Sequence, residues 1–178
     1  MLRHFPGCEL HGVELDETVL NVAIEYFHAP SHHQAQYWVG DGVQYLQRGM
    51  KQGYDVIFLD AYLSNKVFSA SLEPSFTKVL YESLSPRGIV MANLIAGVPL
   101  KGAVRAFMDQ AVRQFARVWL IPVGFPFLEQ NILAVFSKSE EWNPDWGAFV
   151  NANVDLNLLE RATWSWRIHR YAPSSERS

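Results

Sequence analysis

The chain has 178 residues, enough for one domain with a full core and little more. About half of it is apolar and a fifth charged, the balance of an ordinary globular protein rather than a disordered or fibrous one. The net charge of −3 supplies no basic field to recruit nucleic acid or anionic lipid, so neither partner is expected. Cys8 is the single cysteine, which rules out an internal disulfide and fits a reducing, cytoplasmic setting. No apolar run approaches the ~20 residues of a membrane span. The opening MLRHFPGCELHG lacks the apolar region of a signal peptide.

In chain order, Leu2 to Phe5 read as the tail of a helix ended by Pro6-Gly7. Glu9 to Leu15 reads as a strand weakened by its glycine. Asp16 is placed to cap a helix from Glu17 to about Phe27, with Val19, Leu20, Ala23, Ile24 and Phe27 on its inner face. A polar turn leads to a short strand, Gln36 to Val39, which ends in Gly40-Asp41-Gly42. A helix from about Val43 to Met50 follows. Tyr54 to Tyr62, YDVIFLDAY, carries the continuous apolar run of a strand buried on both faces, and it ends on Asp60.

Ala61 to Leu72 is a long connection without clear period. Pro74 opens a helix at its first turn, where its missing N–H costs nothing, and Phe76, Val79, Leu80 and Leu84 form the inner side. Ser85 to Gly88 is a turn before an apolar strand, Ile89 to Leu94. Leu100 to Phe115 has helical periodicity, with Ala103, Phe107, Met108, Ala111 and Val112 inward. Val118 to Val123 and Ile132 to Phe136 are joined closely enough to form an antiparallel hairpin at one edge. Beyond Trp142, Leu156, Leu158, Leu159, Trp164 and Trp166 suggest a helix that packs back. The alternation predicts an α/β fold, a mostly parallel sheet with helices on both faces and an antiparallel edge hairpin. Residues 1–140 form the expected domain and 141–178 an extension packed on it.

Acidic groups occur at three successive strand ends, each before a helix: Glu14 with Asp16, then Asp41, then Asp60. Each aspartate alone reads more readily as a helix cap. Together they resemble a nucleoside site, because ligands of open α/β sheets bind beyond the carboxyl ends of the strands and a carboxylate there can take both ribose hydroxyls.

The motifs GVELDETVL, WVGDGVQYL, YDVIFLDAY and LSPRGIVMANLI, in this order, resemble the spermidine-synthase-like branch of class I S-adenosylmethionine-dependent transferases. The resemblance covers about Glu9 to Ser137. It implies a Rossmann-like fold and S-adenosylmethionine, or its decarboxylated form, as cofactor. It implies that Glu14, in its acidic pair with Asp16, holds the ribose hydroxyls. Asp41 would hold the adenine amine, with Gly42 allowing close approach. Asp60 would face the sulfonium and the nucleophile as the catalytic carboxylate, and Tyr62 would wall the substrate pocket. Spermidine synthases carry a second aspartate three residues after the first, where this chain has Leu63. Aminopropyl transfer needs an amine deprotonated and cradled by anions. Methyl transfer from an activated sulfonium asks mainly for positioning, and is therefore the expected reaction. The acceptor is a small molecule or a protein. The alternatives are a diverged aminopropyltransferase of polyamine biosynthesis and a non-catalytic remnant serving as an oligomerisation or interaction module.

Other signals are weaker. His28, His32 and His33 cluster in a turn but lack the spacing of a zinc site, so no metal is expected. WSWRIHRY, Trp164 to Tyr171, mixes aromatic and basic residues as single-strand binders do, and reads better as a docked amphipathic tail. Asn93 is read as ending its strand at the same edge, where it either touches substrate or, more often for such a residue, closes a turn. In nucleotide-binding α/β folds a first strand and glycine-rich turn precede the acidic residue by about 20 positions. Here that places them before Met1, so the chain is expected to be N-terminally truncated or to have its true start upstream. The consequences expected are weak cofactor binding and self-association as a homo-oligomer through unpaired strand edges.

Overall fold

The computed structural model describes residues 7–49, 53–60, 74–123, 129–152 and 158–172. The N-terminal helix tail, the connection after Asp60 and Leu156 fall outside these ranges. The chain divides into two compact units, Met1–Gly49 and Met50–Ser178.

In the first unit, β1 (His11–Glu14) pairs in parallel with β2 (Gln36–Val39), with Glu14 opposite Val39. Gly12 is tolerated in β1 because the Tyr37 ring lies across it; a Cβ there would come within 2.5 Å of that ring. This is an aromatic side chain covering a strand glycine. Helix α1 (Glu17–Tyr26) begins where the sequence placed it, with the Thr18 N–H donating to Asp16 Oδ1 at 2.7 Å. Its expected inner face is only partly realised. Leu20 is buried, whereas Val19 and Phe27 are 52% and 76% exposed. Helix α2 (Gly42–Arg48) starts from Asp41, whose Oδ1 accepts the Gln44 N–H at 2.9 Å. A polar chain ties α2 to β1. His11 Nε2 donates to Glu9 Oε1 at 3.0 Å, which leaves Nδ1 to accept the Tyr45 hydroxyl at 2.8 Å.

The second unit holds five strands in the order β3-β4-β6-β5-β7. These are β3 (Tyr54–Leu59), β4 (Leu84–Ala96), β5 (Arg117–Val123), β6 (Gln130–Ser137) and the two-residue β7 (His169–Arg170). β3 and β4 are parallel, and the remaining pairs are antiparallel. The 85–88 turn read from sequence is a bulge within β4: Tyr54 faces Leu84, but Val56 faces Ile89. Gly88 is required there, since a Cβ would lie 2.7 Å from the Tyr54 carbonyl. Among the described residues β3 has one neighbour, β4. Phe58 is 59% exposed, so the expectation of a strand buried on both faces fails at this residue.

Strand periodicity builds two cores around the hairpin. On one face of β6, Ile132, Ala134 and Phe136 are fully buried, and the Phe136 ring meets Phe107 and Phe115 at centroid distances of 5.7 and 5.3 Å. Phe107, Met108 and Ala111 come from α4 (Gly102–Gln114), and Phe76, Val79 and Leu80 from α3 (Pro74–Ser83) are buried as well. The expected inward Ala103 is instead exposed. On the other face Val135 and Ile121 pack with Val150 of α5 (Trp146–Ala152) and with Ile168, which follows α6 (Leu158–Arg167). The C-terminal segment is fastened to this sheet. The Tyr171 N–H donates to the Val118 carbonyl at 2.9 Å and its hydroxyl to Asp109 Oδ1 at 2.7 Å. Arg167 is buried and donates to Gln130 Oε1, and burial lowers its pKa from the ordinary value.

Candidate functional site

Glu14, Asp16, Asp41 and Gly42 belong to the first unit and Asp60 to the second. Tyr62 and Leu63 lie outside the described residues. In the first unit the parallel register sets the ends of β1 and β2 side by side, and the Gly40 N–H donates to the Glu14 carbonyl at 2.8 Å. The two chain exits therefore leave from neighbouring strand ends. The Glu14 carboxylate accepts the Asp16 N–H through Oε1 at 3.2 Å. Asp16 and Asp41 each use Oδ1 as the acceptor that starts a helix. Among the described residues the second oxygens of Glu14 and Asp41 have no hydrogen-bond partner.

The helix-cap reading of Asp16 and Asp41 is met in the structure. One oxygen of each accepts a helix N–H that would otherwise be orphaned, and at Asp41 the other has no partner among the described residues. Among the described residues a Cβ at Gly42 would meet only Val13 Cγ1, at 3.8 Å, an ordinary contact, so the backbone at the start of α2 is open to close approach. An acceptor pair of this kind suits a ligand rich in donors. Two ribose hydroxyls and an exocyclic adenine amine are such donors, and the chemistry of the residues present fits the nucleoside half of an adenosyl group.

In the second unit Asp60 follows the last residue of β3, where Leu59 is opposite Ala92 of β4. Asn93 does not end its strand. It sits inside β4, three residues before Ala96, and its Nδ2 donates to Asp60 Oδ1 at 2.9 Å. Among the described residues Asp60 Oδ2 has no partner. The even-numbered residues of β4 from Val90 to Ala96 are buried, while Asn93 and Ile95 on the opposite face are exposed. Phe58 is opposite Met91 on that same face. Asp60 and Asn93 thus form a polar pair flanked by exposed apolar residues at the carboxyl end of β3. The sequence signal for the pair was faint: Asn93 is the one polar residue between Ile89 and Ala96. Of the clustered histidines, His28 takes a positive φ of 56° and His32 packs edge-on against Tyr37.

Comparison with known proteins identifies the family of the chain. The spermine/spermidine synthase domain family matches residues 2–144. The eEF1A lysine and N-terminal methyltransferase of Bos taurus is 27% identical over 114 residues, 58% of this chain and 16% of that protein. A probable polyamine aminopropyl transferase of Bifidobacterium longum is 28% identical over 159 residues, 89% of this chain and 34% of its own length. The chain therefore spans about a third or less of these relatives. The crystal structure of human methyltransferase-like protein 13 in complex with SAH superposes with a TM-score of 0.68, with 20% identity over 84% of this chain and 69% of that one. No helix among the described residues is long and apolar enough to cross a membrane. The fold is α/β and Rossmann-like, and the chain belongs to the spermine/spermidine synthase domain family.

Proposed function

We propose that this chain is an S-adenosylmethionine-dependent transferase that places a methyl group on an amine nitrogen. The observation that carries the reading is the single carboxylate at the end of β3: Asp60 keeps one oxygen without a partner among the described residues, and in the sequence Leu63 stands where a second aspartate would complete a diamine cradle. The names of the relatives support an amine acceptor, since one is a lysine and N-terminal methyltransferase and the other a probable polyamine aminopropyl transferase.

When bound, S-adenosylmethionine supplies a methyl group already activated by its sulfonium. Glu14 would accept from the ribose hydroxyls through the oxygen not bonded to the Asp16 N–H, and Asp41 from the adenine amine through the oxygen its helix cap leaves over. Asp16, in this reading, acts mainly by starting α1 and ordering Glu14. Asp60 would accept an N–H of the acceptor amine and so orient its nitrogen. The sulfonium would give up the methyl group and keep the bonding electrons, and the acceptor nitrogen would release a proton to solvent. Orientation of this kind supplies much of the acceleration when the leaving group is activated. Self-association of the chain is part of the proposal, through the sheet edges at β1 and β3.

Calorimetry with S-adenosylmethionine, its decarboxylated analogue and methylthioadenosine, followed by transfer assays on Nα-acetyl-lysine amide and putrescine, tests the proposal. Methylated amine and little polyamine are expected. Aminopropyl transfer to putrescine near ~1 s⁻¹, within the ordinary enzyme range, would replace this reading with that of an aminopropyltransferase. Binding of none of the three nucleosides would favour a non-catalytic module.

A further inference from the structure

We infer that Asn93 is a positioning residue that fixes the Asp60 carboxylate, holding one oxygen so that the other is presented to the acceptor. The inference rests on the reading of Asp60 as the acceptor-side carboxylate. Asp60 lies just past β3, where pairing with β4 stops, so its backbone alone does not restrain its side chain. Asn93 is restrained. β4 continues to Ala96, and Asn93 is held opposite Leu133 in the antiparallel ladder with β6. Its amide therefore projects from a fixed point, and the 2.9 Å bond to Oδ1 transfers that rigidity to Asp60.

The composition of β4 supports a specific role. Asparagine is depleted from strands because its side chain competes for backbone hydrogen bonds and packs poorly. In VMANLIA it interrupts an otherwise apolar run, and it does so at the register position next to the Asp60 carboxylate. An amide suits the task because it donates to a carboxylate without adding charge. A lysine or arginine there would compete with an incoming ammonium, and an aspartate would repel Asp60.

The test combines a conformational readout with a binding readout. Three-bond Hα–Hβ couplings of Asp60, measured by NMR, report its χ1 rotamer directly. A single staggered rotamer is expected in the unaltered chain and in Asn93→Gln, which keeps an amide donor. Rotamer averaging is expected in Asn93→Ala. It is expected also in Asn93→Asp, which keeps the shape but replaces the donor with an acceptor and serves if the alanine variant does not fold. Titration with Nα-acetyl-lysine amide should show affinity about fivefold lower in Asn93→Ala, the scale of one hydrogen bond, and near the original value in Asn93→Gln. An Asp60 rotamer unchanged in both Asn93→Ala and Asn93→Asp overturns the inference. Amine affinity unchanged in Asp60→Asn defeats the functional reading instead, while the couplings still decide the role of Asn93.

Discussion

Asp41 carries two roles that a pair of substitutions separates. Its Oδ1 accepts the Gln44 N–H at 2.9 Å and so starts α2, a seven-residue helix with no fully buried residue. A helix this short is not stable from propensity alone. It depends on its cap, on the Tyr45–His11 bond and on the Arg48 guanidinium 5.3 Å from the centre of the Trp38 ring. Removing an aspartate cap costs about 1 kcal/mol, which raises the open fraction of α2 about fivefold. Asp41→Ala should therefore speed amide hydrogen exchange across residues 44–49 by about that factor. Asp41→Asn should leave it nearly unchanged, because asparagine caps as well as aspartate. Both variants remove the charge that would hold an adenine amine, so both should weaken nucleoside binding. Exchange in residues 44–49 of Asp41→Ala within twofold of the original would show that the cap does not stabilise α2. Full nucleoside affinity in Asp41→Asn would take Asp41 out of the binding site.

Glu14→Gln should weaken nucleoside binding by about 1–3 kcal/mol, the scale of a charge-assisted hydrogen bond left unmade, as read by titration calorimetry. Phe136→Ala removes the ring that joins Phe107 to Phe115 and should cost about 3–5 kcal/mol, seen as a lower denaturation midpoint of the second unit. Tyr37 donates its hydroxyl to the Pro30 carbonyl at 2.6 Å, and burial raises its pKa. A group whose pKa is raised on folding stabilises below its unfolded value and loses that contribution as pH rises through the folded one. The first unit should therefore weaken above about pH 10, and Tyr37→Phe should flatten that decline in a pH series of hydrogen exchange.

What the sequence determined by itself was local. Asp16 and Asp41 announced the starts of α1 and α2, Pro74 the start of α3, and Gln36 to Val39 formed the strand that the alternation required. These signals are readable because a cap and the helix it starts lie within a few residues, and the same holds for the motifs that carry the family resemblance. The tertiary structure decided what depends on register. Asp60 and Asn93 meet across 33 positions because β3 and β4 pair in parallel after a bulge that no local pattern specifies. Burial was decided in the same way. Val19, Phe27 and Phe58 share the apolar character of Leu20 and Phe136. Whether such a side chain is covered depends on which distant element the backbone hydrogen bonds bring over it, and periodicity marks the face without naming that element.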